Sequence, residues 1–305
     1  MKTMKGKQQY DVIIIGGSYA GLSAGMALGR ALRSVLIIDS GTPCNSQTPY
    51  SHNFLTNDGV APAEISKLAR KQVLAYTNVV FIDAFATKGR RSEDGFEIEI
   101  GTGDKFTSRK LIFATGIKDI IPAIPGFAES WGISALHCPY CHGYEIYNQK
   151  TGVLANGDTA FELVTLISNW TMDLTLYTNG KSVLTEQQRI KLDQHNIAIV
   201  EAEIDKLENQ KGYIESIVFN NGTKADLSAL YARLPFVQHS AIPQSLGCEL
   251  TQEGYIKTDA GQKTTVPGVF ACGDNSTRMR TVSNAVYAGT AAAFSTNREL
   301  IEENF

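Results

Sequence analysis

Short unbroken apolar runs, more than alternating ones, mark the strands of this chain. Val12-Ile13-Ile14-Ile15, Val35 to Ile38, Leu111 to Phe113, Leu174 to Tyr177 (interrupted by Thr175) and Val269-Phe270-Ala271 each give way within three residues to a glycine, an acid or a small polar residue. Runs without a polar face predict strands buried on both sides, as in parallel sheets covered by helices. Helical spacing predicts helices at Leu22–Arg30, Pro62–Tyr76, Phe161–Asn169 and Val286–Leu300, and Asn221-Gly222 reads as a hairpin turn after Ile217-Val218-Phe219. The pattern is α/β, without repeats, low-complexity tracts or a long linker.

Composition narrows the class. A chain of 305 residues is long for one core and predicts two domains. With 43% hydrophobic and 19% charged residues and 27 glycines, it reads as a globular enzyme. A net charge of -3 without a basic block argues against a nucleic-acid surface. The basic start, Met1 to Gln9, precedes an apolar run too short for a leader or a spanning helix, so no membrane association and a cytoplasmic location are expected.

Two stretches resemble strand-turn-helix nucleotide motifs. Gly16-Gly17-Ser18-Tyr19-Ala20-Gly21 follows the first strand and opens a helix, a geometry that aims backbone N–H groups at a pyrophosphate. Asp39 ends the second strand, 39 − 16 = 23 positions after the first glycine, where an acid accepts hydrogen bonds from ribose hydroxyls. Ser18 replaces the middle glycine of GxGxxG, which leaves the motif weak by itself. Support comes from Ala114-Thr115-Gly116 after a buried strand, and from Gly273-Asp274 after another, where the acid suits a ribityl chain. The second motif is Gly152-Val153-Leu154-Ala155-Asn156-Gly157-Asp158-Thr159-Ala160.

The segment His137-Cys138-Pro139-Tyr140-Cys141-His142 carries the chemistry. Two thiols separated by two residues close a small disulfide, and flanking histidines bias one sulfur toward thiolate. Half of a zinc site is the other reading, but it lacks a second cluster: Cys44, Cys248 and Cys272 are scattered singly and read as small buried side chains. The redox reading is favoured, and no metal is expected.

Taken together, these segments resemble the low-molecular-weight thioredoxin reductase family of flavoproteins along nearly the whole chain. The resemblance implies two Rossmann-like domains of the three-layer ββα type. Residues 1–117 and 248–305 would form a discontinuous FAD domain, and 118–247 an inserted pyridine-nucleotide domain carrying CxxC. It implies FAD held by Gly16, Ser18, Ala20, Gly21, Asp39, Asn53, Ala114, Thr115, Gly116, Gly273 and Asp274. It implies a homodimer with hinges at 116–125 and near 245–248. By position, Cys141 would lie against the flavin and Cys138 would exchange with substrate.

Departures from the family pattern point to a different electron donor. Ala155 stands where the first glycine of the second motif belongs, and Thr178-Asn179-Gly180 where a basic pair would hold the NADPH 2′-phosphate. Lys181 is the one positive charge nearby, and no acid stands there to favour NADH. Val282-Ser283 occupies the place of an Arg-Gln pair near the flavin. The run Cys-Pro-Tyr-Cys-His-Gly-Tyr-Glu is similar to that of dithiol oxidases of the gliotoxin and holomycin type, where reductases carry an aspartate after the second cysteine. This implies His142 as general base, oriented by Glu145, with an ordinary histidine pKa of ~6.5. The expected substrate is a small-molecule or peptide dithiol, or a thioredoxin-like protein partner, with oxygen as acceptor. A pyridine-nucleotide-dependent disulfide reductase is the alternative, and a non-catalytic flavin- or zinc-binding protein the reading from another class. Roles for His137 and His239 stay open.

Overall fold

A computed structural model describes residues 9–305, and the basic start of the chain lies outside them. The chain forms two compact units. Of the described residues, one unit comprises 9–46, 54–118 and 236–305, and the other 47–53 and 119–235.

The first unit opens with β1 (Gln9–Ile15), α1 (Tyr19–Arg30), β2 (Val35–Asp39), α2 (Pro62–Val73) and β3 (Val79–Asp83). A meander of β4 (Ala86–Ser92), β5 (Gly95–Ile100) and β6 (Lys105–Phe113) follows, and β7 (Ile117–Asp119) leads out. In chain order the second unit then supplies α3 (Phe127–Ser130), β8 (Ala135–Leu136), α4 (Pro139–His142), β9 (Thr151–Leu154), α5 (Gly157–Ile167) and β10 (Leu174–Tyr177). It continues through α6 (Glu186–Gln194), β11 (Ala198–Val200), β12 (Ile204–Gln210), β13 (Tyr213–Phe219), β14 (Lys224–Asp226) and β15 (Ala229–Ala232). The return to the first unit runs through β16 (Phe236–Gln238), α7 (Ile242–Ser245), β17 (Val269–Ala271) and α8 (Val282–Glu302).

In the first unit β3, β2, β1 and β6 are parallel neighbours, and the long β6 divides its far edge between two partners. Its first half pairs antiparallel with β5 (Phe96 opposite Ser108), and its last three residues pair parallel with β17 (Leu111 opposite Val269). Ile13, Ile14, Leu36 and Ile37 are fully buried, as continuous apolar runs require. Each such side chain contributes about 1.5–3 kcal/mol. Because the strands are parallel, the ends of β1, β2, β6 and β17 open on one edge, where ligands of such sheets bind.

The second unit repeats the plan on a smaller scale. Its sheet runs β11-β10-β9-β15-β8, all parallel, beside an antiparallel layer β12-β13-β14 turned by the expected Asn221-Gly222 hairpin. The chain returns to the first unit at Phe236, whereas the sequence put that boundary near residue 248. The reason is packing: Phe236 lies tilted against Tyr255 with ring centroids 4.6 Å apart, and Ile242 and Cys248 join the core of the first unit. Among the described residues no helix is long and apolar enough to cross a membrane.

Candidate active site

The first turn, between β1 and α1, is built for close approach. Gly16 has φ 105°, and a Cβ there would collide with the Ala114 carbonyl, while one on Gly21 would strike the Gly16 carbonyl. These bare backbones bring the turn against the Ala114-Thr115-Gly116 segment, which the Ala114 N–H ties to the Ile15 carbonyl at 2.7 Å. Ser18 caps α1 without a side-chain hydrogen bond, and no acid stands in the first helical turn. The leading N–H groups of α1, including that of Ala20, are therefore left to an incoming anion. Asp39 accepts the Gly17 N–H at 2.9 Å, which commits one of its two carboxylate oxygens.

Gly273 follows β17 with φ 84°, and a Cβ on it would lie 3.0 Å from that of Ala20. Asp274 Oδ2 lies 3.7 Å from Arg280 Nε and 3.8 Å from Cys44 Sγ. Cys44 is exposed, against its expected burial, whereas Cys248 and Cys272 are buried. Burial pushes the Cys272 thiol up to about 12, which leaves it unreactive. Asn275 is a residue the sequence did not single out. Fully buried, it donates through Nδ2 to the Phe113 carbonyl at 2.8 Å and to Thr115 Oγ1 at 3.2 Å, while its Oδ1 has no partner. A tight glycine turn, an uncapped helix start free of acids, a ribose-type carboxylate and a buried acceptor at the same sheet edge fit a flavin dinucleotide. Asn53, expected among these residues, belongs to the segment 47–53 that folds with the second unit, and it has φ 57°. That left-handed conformation is one asparagine tolerates.

The second turn, between β9 and α5, has the same outline and the opposite chemistry. Asn156 Oδ1 accepts N–H groups from Gly157 and Val183, each at 2.9 Å, and its Nδ2 donates to the Lys181 carbonyl at 2.9 Å. One side chain thus caps the helix and laces the loop 181–183 to it. Asp158 stands in the first turn and accepts from Gln188 Nε2 at 2.8 Å. Thr178 bonds the Gly180 carbonyl, and Asn179 accepts the Ile204 N–H. The sequence placed no acid near this strand end, but the fold brings one: Glu201 accepts from Ser182 N and from Arg189 Nη2 at 3.1 Å. Asn156 and its loop partners thus occupy the helix start at this turn.

Cys138 and Cys141 are joined in a disulfide with Cα atoms 5.3 Å apart. Cys138 caps α4, Pro139 starts it and Cys141 ends the bridged turn; Cys138 is buried and Cys141 partly exposed. Tyr140 packs edge-on against Trp170 with centroids 5.4 Å apart, fixing the outer face of this short helix. Among the described residues no group of three His, Cys, Asp or Glu side chains is arranged to hold a metal.

His142 is buried enough that desolvation, with the nearby His52 adding to it, pushes its pKa down to about 4. It is therefore neutral at physiological pH, where an ordinary pKa was expected. Glu145 is paired with His52, with Oε1 3.5 Å from Nε2, and not with His142 as expected. His52, His142 and Glu145 share the wall of a cavity of about 330 Å³, completed by Leu136, Ile146 and Tyr213. The sequence leaves His52-Asn53 open between a loop beside the flavin, by family position, and a plain loop. Nothing in the linear pattern joins His52 to a glutamate 145 − 52 = 93 positions later.

A discontinuous Rossmann-type unit with an open dinucleotide turn, and a second such unit carrying a disulfide on a short helix, define a two-domain flavin-dependent disulfide oxidoreductase. The chain belongs to the pyridine nucleotide-disulphide oxidoreductase family, whose model matches residues 10–289. It is 33% identical to the thioredoxin reductase tcpT of Claviceps purpurea, with 96% of this chain and 95% of that protein covered. It is 32% identical to a probable thioredoxin reductase of Arthroderma benhamiae, covering 97% of this chain and 82% of the relative. The crystal structure of HlmI superposes with a TM-score of 0.91 at 32% identity over 96% of this chain and 93% of that one. Thioredoxin reductase-like members of the family are FAD-dependent flavoproteins, so the cofactor expected from the first turn is FAD.

Proposed function

We propose that this enzyme is an FAD-dependent dithiol oxidase: it converts a small-molecule or peptide dithiol to a disulfide and delivers the electrons to oxygen, not from NADPH. The observation that carries the reading is the second turn, where Asn156 ties the helix start to the loop 181–183. Seating a nucleotide there means breaking three hydrogen bonds, at about 1 kcal/mol each. Those ~3 kcal/mol correspond to roughly a hundredfold in affinity, before the repulsion of Asp158 at the helix start is added.

FAD would be held by Gly16, Ser18, Ala20, Gly21, Asp39, Ala114, Thr115, Gly116, Gly273 and Asp274, and when bound it supplies the two-electron acceptor. The protein does the rest with its own residues. One substrate sulfur, losing its proton to His142, bonds to Cys138 Sγ; the Cys138–Cys141 bond breaks and Cys141 keeps the electron pair. The second substrate sulfur then closes the substrate disulfide as its proton passes to the departing Cys138, which leaves as a thiol while Cys141 remains the thiolate. The balance is one dithiol and one oxygen converted to one disulfide and one hydrogen peroxide. Neutral His142 is in the protonation state this requires, and a thiolate formed beside it raises its proton affinity as charge develops.

The names of the fungal relatives support a second reading, a nucleotide-dependent reductase acting on a thioredoxin-like partner. The experiment separates the two: dithiothreitol under anaerobic conditions bleaches the yellow protein, air restores the colour, and peroxide appears in equal amount. A flavin that no dithiol reduces would end the oxidase reading.

A further inference from the structure

We propose that His52, held by Glu145, is the second station of the proton that leaves the substrate thiol through His142, with the cavity between them as the path. This rests on the dithiol oxidase reading and adds a residue to it. His142 occupies two places at once: it is the last residue of the helix that carries the disulfide, and it forms part of the cavity wall. Neither cysteine is among the residues lining that cavity. His142, and not the sulfurs, therefore reaches this space.

The same wall carries a second pair suited to a proton. Glu145 and His52 stand 3.5 Å apart there, a carboxylate facing an imidazole. Tyr231, fully buried in the same unit and within the electrostatic reach of Glu145, has a hydroxyl pushed above its ordinary range mainly by burial, so it stays protonated. His142 cannot store what it takes up, because its burial favours the neutral form. Oxidation of a dithiol releases two protons. One stays on a cysteine sulfur of the reduced pair, and the other passes from His142 to the His52–Glu145 pair and on to solvent. Water bridging across the cavity suffices, since about 330 Å³ accommodates several molecules.

His52 is thus a proton-relay and positioning residue, contributed by a segment of chain remote in sequence from the cysteines. The test uses the FAD-loaded protein and its His52→Gln variant, which keeps a donor toward Glu145 but does not titrate. Anaerobic stopped-flow bleaching by dithiothreitol is expected to show a maximal rate about 10–100-fold lower, with half-saturation within twofold of wild type. Added imidazole is expected to restore most of that rate.

A second readout avoids flavin reduction. In a Cys141→Ser background, the reaction of Cys138 with dithiodipyridine reports loss of its proton, and His52→Gln is expected to slow it by about tenfold. Wild-type rates in both assays overturn the relay, and so does slowing that imidazole leaves untouched, which marks a merely structural residue. If His52→Gln fails to retain its flavin, Glu145→Gln carries the same test with the same outcomes. Dithiol that fails to bleach even the wild type would instead defeat the oxidase reading.

Discussion

The molecule contains the same strand-turn-helix twice, and the two copies differ in what their backbone N–H groups do. At Gly16–Gly21 the helix start has no side-chain cap and no acid, so its positive end is left to a ligand. At Ala155–Ala160 the side chain of Asn156 takes the first N–H, fastens a neighbouring loop over it and stands beside Asp158. Fold alone does not make a nucleotide site; a few hydrogen bonds decide whether the helix start is offered or spent. On the proposed reading one copy serves the dinucleotide and the other serves as the platform for a disulfide.

The largest effect tests where electrons enter. With the second turn closed, they enter through Cys138, so Cys138→Ser is expected to lower dithiol-driven bleaching by about a thousandfold or more, the scale of losing a covalent nucleophile. NADPH is expected not to substitute. Next comes the open turn. Gly21→Val puts a side chain into the Gly16 carbonyl, and a backbone collision of this kind costs about 3 kcal/mol or more. The flavin-to-protein absorbance ratio of the purified variant is expected to fall sharply, while the equivalent change at Ala160 leaves flavin content alone.

Acid stability sharpens the picture of the second unit as a thiol site. As pH falls, His142 of the unfolded chain takes up a proton near ~6.5. In the native state it does so at about 4. Stability from this group is therefore present above ~6.5 and lost between there and about 4, on the order of 3 kcal/mol in total. Urea melts of wild type and His142→Gln across that range are expected to diverge, with the variant flatter. The smallest effect is at the lock. Asn156→Ala removes a helix cap, and about 1 kcal/mol of stability should go with it. NADPH binding, measured by calorimetry, should improve by up to about a hundredfold, because the three hydrogen bonds no longer have to be broken, with Asp158 still opposing it.

Much of this was legible in the chain. The glycine turn, Asp39 and the returning Gly273-Asp274 follow from local geometry, since strand ends in a parallel sheet converge wherever the strands do. The Cys138–Cys141 pair is legible because its ring closes within four residues. What escaped the sequence depends on contacts between distant segments. Asn156 draws no reading from its motif alone, because its partners Lys181 and Val183 come to it only in the fold. Glu201 became an acid at the strand end only through the β10–β11 crossover. The His52–Glu145 pair needed residues 47–53 to fold with the second unit, and the low pKa of His142 needed burial that no single residue encodes.

The most direct measurement is a pair of anaerobic titrations of the yellow enzyme, one with dithiothreitol and one with NADPH. The closed second turn predicts complete bleaching by dithiol and a flavin left oxidised at millimolar NADPH. Rapid bleaching at sub-millimolar NADPH, with the dithiol inert, would contradict it.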